Sequence, residues 1–332
     1  MPVWVSGILL VLSLAIILFG AEFFTNSVEW LGRRLRLGEA AVGSLLAAVG
    51  TAMPETMIPI IAILFTPGTS SHEVGIGAIA GAPFMLGTLA FFVTGVAVIA
   101  FSRAKRRPPT MQVNARALRM DMLFFLVFYG VAISMTWVHV AWVRNLVALG
   151  LMAGYVVYSR AILSERSAGS GSLEDLYVAR LFGSRPRFRY IGAQLVVSLA
   201  AIIGGANLFV SNTVAVAAAL GASPMVLAMI IAPIATELPE KFNSVIWIGK
   251  GKDTLAMGNI SGAMVFQSSF PVALGVALTP WELTGPTLLS AGLAMASVGV
   301  NYLYLRRTNT LSVAGLLLGG LLYLVLIAYL FV

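Results

Sequence analysis

The chain has 332 residues, 59% of them hydrophobic and only 10% charged, with a mean hydropathy of +0.94. Soluble domains carry about 25% charged residues and disordered chains are poor in apolar ones, so both classes are excluded. The absence of Cys removes disulfides, thiolate metal sites and cysteine nucleophiles, and two His leave little for a transition metal, so any chemistry runs on oxygen ligands. A net charge of +8 would suggest nucleic acid only if the basic residues shared one water-exposed face. They lie instead between long apolar runs, which makes membrane lipid the expected neighbour and leaves nucleic acid without a role.

A membrane-spanning helix needs about 20 apolar residues. Ten such runs follow one another, at residues 3–28, 40–65, 74–101, 118–137, 141–163, 190–220, 224–248, 255–278, 283–305 and 311–331. They are apolar all round rather than alternating, which predicts helices and not barrel strands. The predicted class is therefore an all-α polytopic membrane protein with ten transmembrane helices. Of the 21 Lys and Arg, 19 fall in or beside the odd-numbered loops, Arg144 stands alone in an even one, and Lys241 lies inside a run. The positive-inside rule then puts the odd loops in the cytoplasm and both termini outside, in what is expected to be a prokaryotic plasma membrane. The apolar start at residue 3, with no basic residue before it, fits an exported N-terminus rather than a cleaved signal peptide. All six Trp fall near predicted helix ends, as in an aromatic belt.

The runs repeat. At an offset of 185 residues Gly20-Ala21-Glu22-Phe23-Phe24 lies over Gly205-Ala206-Asn207-Leu208-Phe209, and Thr51, Pro54 and Glu55 lie over Thr236, Pro239 and Glu240. After a loop change of four residues, Gly77 and Gly81 lie over Gly258 and Gly262. Five helices per copy invert one copy relative to the other, as in many transporters. The expected organisation is two inverted five-helix repeats, residues 1–167 and 185–332, joined by a cytoplasmic linker at 168–184 that is too short for a regulatory domain. Gly20 and Gly205 mark helices 1 and 6 as the candidate movers, because small residues permit close sliding contacts.

The chemistry concentrates in Gly50-Thr51-Ala52-Met53-Pro54-Glu55 and its counterpart Ala235-Thr236-Glu237-Leu238-Pro239-Glu240. Each falls near the middle of a predicted helix, where a carboxylate is costly and marks a functional site by default. A proline clashes with the carbonyl four residues earlier, so Pro54 loosens the oxygen of Gly50 and Pro239 that of Ala235. Thr51 and Glu55 stand at i, i+4, as do Thr236 and Glu240, which aligns hydroxyl and carboxylate on one helix face. Two inverted copies meeting at mid-depth would bring Glu55 and Glu240 together among hydroxyl and carbonyl oxygens, a cage suited to Ca²⁺ and adaptable to Na⁺.

At these residues the sequence resembles the cation/calcium exchanger superfamily, of which the sodium/calcium exchangers are the best-known branch. Its repeats each carry a Gly-Thr-Ser-x-Pro-Glu helix and a following Gly-Asn-x-x-Gly-Ser-Asn helix, matched best here by the two Thr-x-x-Pro-Glu segments and by Gly258-Asn259-Ile260-Ser261-Gly262. The resemblance implies that Glu55 and Glu240 hold the transported cation with Thr51 and Thr236 assisting, and that the carbonyls of Ala47 and Ala232 occupy the flanking sodium positions. Asn259 and Gln267 are expected near the site, helix-to-helix hydrogen bonding being the competing role.

The departures carry information too. The serine after the threonine is Ala52 in one copy and Glu237 in the other, the third-helix serine is Ala82 and Ala263, and four residues on stand Leu86 and Gln267. Side-chain oxygens that would serve sodium are thus missing. Glu237, at i, i+3 from Glu240, adds a third carboxylate, and two carboxylates so close should share a proton until a divalent cation arrives. Lys241 leaves three roles open: an internal ion pair, a tethered substitute for a cation, or a vestibule charge.

The expected function is secondary-active antiport of a cation, Ca²⁺ first, in exchange for Na⁺ or H⁺ by alternating access, with no resident cofactor. The alternatives are a cation channel using the same oxygens, or an exchanger for another divalent or monovalent cation. An enzyme is not expected, since no Ser/His, Asp/Asp or His-rich pair lies at a plausible depth.

Overall fold

A computed structural model describes residues 2–35, 52–165, 175–181, 187–283 and 285–331, without the side chains of 163–165, 181, 238–243 and 331. Among the described residues the regular structure is helical, and eight helices are long and apolar enough to cross a membrane. The acidic segments of the two copies lie on the apolar stretch Met53–Phe65 and on the 26-residue helix Pro224–Gly249.

In chain order the helices are α1 (Val3–Arg34), α2 (Met53–Ile60), α3 (Thr69–Met85), α4 (Phe91–Arg103), α5 (Ala115–Ser134), α6 (Ala141–Glu165), the short α7 (Tyr177–Leu181), α8 (Phe188–Leu220), α9 (Pro224–Gly249), α10 (Asp253–Gln267), α11 (Phe270–Leu278), α12 (Gly285–Thr308) and α13 (Val313–Phe331). Each of the ten apolar runs overlaps one of these helices or a stacked pair, residues 40–51 of the second run lying outside the described residues. The pairs have a local cause. Pro59 lies inside α2 and Pro83 inside α3, and each is followed by a π-helical turn, at Ile61–Phe65 and Leu86–Ala90. Proline removes an amide and crowds the preceding turn, and a widened π turn absorbs the misfit. In the second half Ser268 and Ser269 separate α10 from α11, with Pro271 in the first turn of α11, where no amide is needed.

Burial sorts the helices into a core and a shell. α3 buries a continuous run from Val74 to Met85, and α10 with α11 is similarly enclosed, while α1, α6 and α13 expose residues such as Ile8, Val11, Leu146, Leu149, Leu321 and Leu324. Those apolar faces would be costly in water and are at home against lipid. α1 and α8, of 32 and 33 residues, make the most extensive helix–helix contact. At about 1.5 Å per residue each is far longer than a ~30 Å hydrocarbon core, so each is accommodated by tilt or by projecting beyond it.

Two arginines of the first half fix the ends of α10–α11. At the face carrying the arginine-rich loops, the basic face, Arg107 donates to both carboxylate oxygens of Asp253 (2.5 and 2.7 Å) and to the Ile248 carbonyl (2.9 Å). Gln112 N–H adds a third donor to Asp253, at 2.8 Å. At the opposite end Arg144 donates to the Val276 carbonyl (3.0 and 2.6 Å) and to that of Thr279, filling acceptors that the end of α11 leaves open. Trp281 departs from the aromatic-belt expectation. It is fully buried at positive φ, and its indole N–H donates to the Ala132 carbonyl at 2.8 Å, so it stitches the loop after α11 to α5. Trp4, Trp137 and Trp142 are exposed, as a belt requires.

Candidate functional site

Close backbone approach between α3 and α9 builds the site. A Cβ on Gly77 would lie 2.1 Å from the Met225 carbonyl oxygen, and one on Gly81 would lie 2.0 Å from that of Met229 and 2.8 Å from Pro233 Cγ. No side chain fits there, and the glycines let the two helices touch along Met225, Met229 and Pro233, one residue per turn of α9. The next positions on α9 are Ala232 and Thr236, and the neighbours of the glycines on α3 are Ala78 and Ala82. Together with Glu55 and Ile58 of α2 and Pro233, these residues line one small pocket.

The pocket brings together three of the residues expected to form the site. Glu55, from the first half, is buried at 8% exposure, and Thr236 and Ala232, from the second, at 3% each. The Thr236 hydroxyl donates to the Ala232 carbonyl at 3.1 Å and, as an oxygen, keeps acceptor capacity. The other walls are hydrocarbon: Ile58, Ala78, Ala82 and Pro233. Glu55 stands in the first turn of α2, and Pro54 precedes it at a position where the missing amide costs nothing.

Glu237 and Gln267 form a second element of the site. Both are buried at 2% exposure, and the Gln267 amide donates to Glu237 Oε1 at 3.2 Å, joining α9 to the end of α10. Asn259 uses its amide to reach the Ser244 hydroxyl at 3.3 Å. Ser244 is one turn beyond Glu240 on the α9 face that also holds Thr236, so Asn259 stands beside the acidic segment.

Ala47 and Thr51 lie outside the described residues, and so do the side chains of Glu240 and Lys241, although the α9 backbone runs unbroken through both. The sequence pattern gives no hint of Pro233 and Ala78, whose contribution is shape alone. It also passes over Asp121, a fully buried carboxylate of α5 that accepts hydrogen bonds from Tyr158 (2.8 Å) and Ser261 (2.5 Å). The signal was present: an ionisable residue inside an apolar run. Arg116 and Arg119 beside it give that stretch the look of a loop edge.

Comparison with known proteins agrees with this architecture. The family model described as sodium/calcium exchanger protein matches residues 5–161 and 191–332. A protein of Alkalimonas amylolytica named as an antiporter, CaxA, is 23% identical over 318 residues, spanning 92% of this chain and 93% of its own. The inner membrane protein YrbG of Escherichia coli strain K12 is 23% identical over 292 residues, 83% of this chain and 80% of its own. Among solved structures, an H⁺/Ca²⁺ exchanger, CAX, superposes with a TM-score of 0.71 at 13% identity, covering 98% of this chain and 82% of that one. The sodium–calcium exchanger NCX_Mj superposes with a TM-score of 0.55 at 19% identity, covering 99% of each. With nearly its whole length matched in two blocks, the chain belongs to the sodium/calcium exchanger protein family.

Proposed function

We propose that this integral membrane protein is a cation antiporter that exchanges Ca²⁺ for H⁺ by alternating access, built as ten membrane helices in two inverted repeats, residues 1–167 and 185–332, with a linker at 168–184. The observation that carries the reading is the shared pocket of Glu55, Ala232 and Thr236, which draws an acidic segment of the first half and its counterpart in the second to one place. In this assignment Glu55 and Glu240 supply the charge that binds the cation. Thr51, Thr236 and the carbonyls of Ala47 and Ala232 complete the oxygen set, with Glu237, Gln267 and Asn259 around it. Hard cations of the Ca²⁺ type take six to eight such oxygens.

The proton is favoured as counter-ion by what lines the pocket. Ala82 presents a methyl group where the family carries serine, so an oxygen that would serve sodium is replaced by hydrocarbon. Glu237 adds a carboxylate one turn from Glu240, and neighbouring acids that cannot both ionise cheaply take up a proton when the cation leaves. Charge neutralisation by either ion would then permit α1 and α8 to move past the core, while the empty, charged site holds them. Sodium is the second reading and rests on the chain's family.

The test is Ca²⁺ uptake into proteoliposomes across a panel of gradients. A pH step in sodium-free buffer should drive uptake. Uptake that needs a sodium gradient and ignores the pH step would replace the proton by sodium. Flux at channel rates without any counter-ion gradient would contradict antiport altogether.

A further inference from the structure

Asp121 lies six residues into α5, about 9 Å along the helix from the basic face. It is wholly buried, as are its partners Tyr158 of α6 and Ser261 of α10. The two hydroxyls donate to different carboxylate oxygens, Tyr158 to Oδ1 at 2.8 Å and Ser261 to Oδ2 at 2.5 Å, the second within the short range of charge-assisted O–H···O⁻ bonds. A tie among three helices could be made by neutral groups, whereas a carboxylate inside a membrane span is costly and is retained for a reason.

A second pocket leads to it. Asn114, Ala117, Thr254, Met257 and Gly258 line this opening together with Asp121, and Asn114 and Thr254 at its mouth are exposed on the basic face. Among the described residues, the charged and titratable groups of the elements packed around Asp121 are engaged or turned outward. Tyr158 lies beside Tyr155 on α6 with the two rings tilted by 32°, and Arg160 of the same helix is exposed. Asp253 of α10 is bound to Arg107, and Arg306 and Arg307 of α12 are exposed. On α5 itself Arg119 donates to the Ala115 carbonyl and Arg116 is exposed.

We propose that Asp121 is a second, proton-binding site, filled from the basic face through this pocket. Its protonation loosens the hold of α5 and α6 on α10, the helix that carries Gln267 to Glu237. One proton passes from water to a carboxylate oxygen, the group's charge goes from −1 to 0, and the new O–H donates where it had accepted. The oxygen that gains the proton becomes a weaker acceptor, so the hydrogen bond it receives from Ser261 or Tyr158 weakens with it.

Two measurements on the full-length protein test this. In pH-difference infrared spectra the wild type should show a protonated-carboxyl band that Asp121→Asn lacks. Tyr158→Phe and Ser261→Ala should each move its midpoint to higher pH by about one unit, because each removes a donor to the ionised form. These two variants answer the question even if Asp121→Asn fails to fold. In proteoliposomes with the cation gradient and the pH difference both held fixed, shifting the two pH values together should carry the wild-type rate through a step at the same midpoint, and Asp121→Asn should lack that step. This second arm rests on the antiport reading, whereas the infrared arm does not, so a preparation without transport would reject antiport while the band still decides Asp121. A band that is absent from the wild type or persists in Asp121→Asn, or a variant that keeps the wild-type pH profile, would overturn the proposal.

Discussion

Gly20 and Gly205 make the same contact in opposite directions. A Cβ on Gly20 would lie 3.2 Å from the Ser198 carbonyl oxygen and 2.9 Å from Ile202 Cγ1, and a Cβ on Gly205 would lie 3.2 Å from the Ser13 carbonyl oxygen and 2.7 Å from Ile17 Cγ1. Each member of one set lies 185 residues from its counterpart in the other, the offset that also relates the two acidic segments. The α1–α8 crossing is therefore a reciprocal, two-fold contact, with one glycine from each half held against the other's backbone.

Bulk at either glycine should jam that crossing. Gly20→Val and Gly205→Val are expected to lower thermal stability in detergent by about 1–3 kcal/mol, the usual range for overpacking, and to slow cation exchange. Gly204→Ala is the control, since no atom lies within 4 Å of the position its Cβ would take. It should leave both melting and transport unchanged.

The α3–α9 contact is less forgiving, because the obstacle is backbone. Gly81→Ala sets a methyl group against the Met229 carbonyl, which cannot swing aside as the end of a side chain can. Loss of the folded protein on size-exclusion chromatography is expected for Gly81→Ala and Gly77→Ala. Wild-type elution and melting for both would contradict the close approach that shapes the pocket.

The Arg107–Asp253 clamp gives a third prediction. Breaking a buried pair by removing one partner strands the other charge, at about 3–5 kcal/mol, whereas removing both is far milder. Arg107→Met alone should lower the unfolding midpoint sharply, and Arg107→Met with Asp253→Leu should recover much of the loss. A double variant as unstable as the single one would mean that the carbonyl contacts of Arg107, to Ile248 and Thr110, matter more than the ion pair.

Gln267 should be felt at the site. Gln267→Leu leaves the buried Glu237 without the amide that reaches it at 3.2 Å and is expected to cost about 1–3 kcal/mol of stability and to reduce uptake. Gln267→Asn, which keeps an amide but shortens it, should fall between. Equal uptake by all three proteins would remove the Glu237–Gln267 pair from the transport site.

The helices were legible in the sequence because membrane spans are written in uninterrupted apolar length, and the pairing of the acidic segments because Thr, Pro and Glu recur at one offset. Glu55, Thr236 and Ala232 could be placed together for the same reason. The interior stitching was not legible. Trp281 reads as a belt residue until its indole meets the Ala132 carbonyl. Arg144 reads as a stray loop charge until Val276 and Thr279 appear beneath it. Such contacts depend on which helices become neighbours, which apolar periodicity does not encode when a helix is apolar all round. Asp121 was visible as an intramembrane acid, but its partners come from α6 and α10, and nothing in the spacing links them.

The most direct test of the central claim is counter-ion-driven Ca²⁺ uptake by Glu55→Gln and Glu240→Gln in proteoliposomes, with folding confirmed by size-exclusion chromatography. Each variant should be folded and inactive, because the cation loses half of the charge assigned to hold it. Wild-type uptake by both would contradict the assignment of the transported ion to these glutamates.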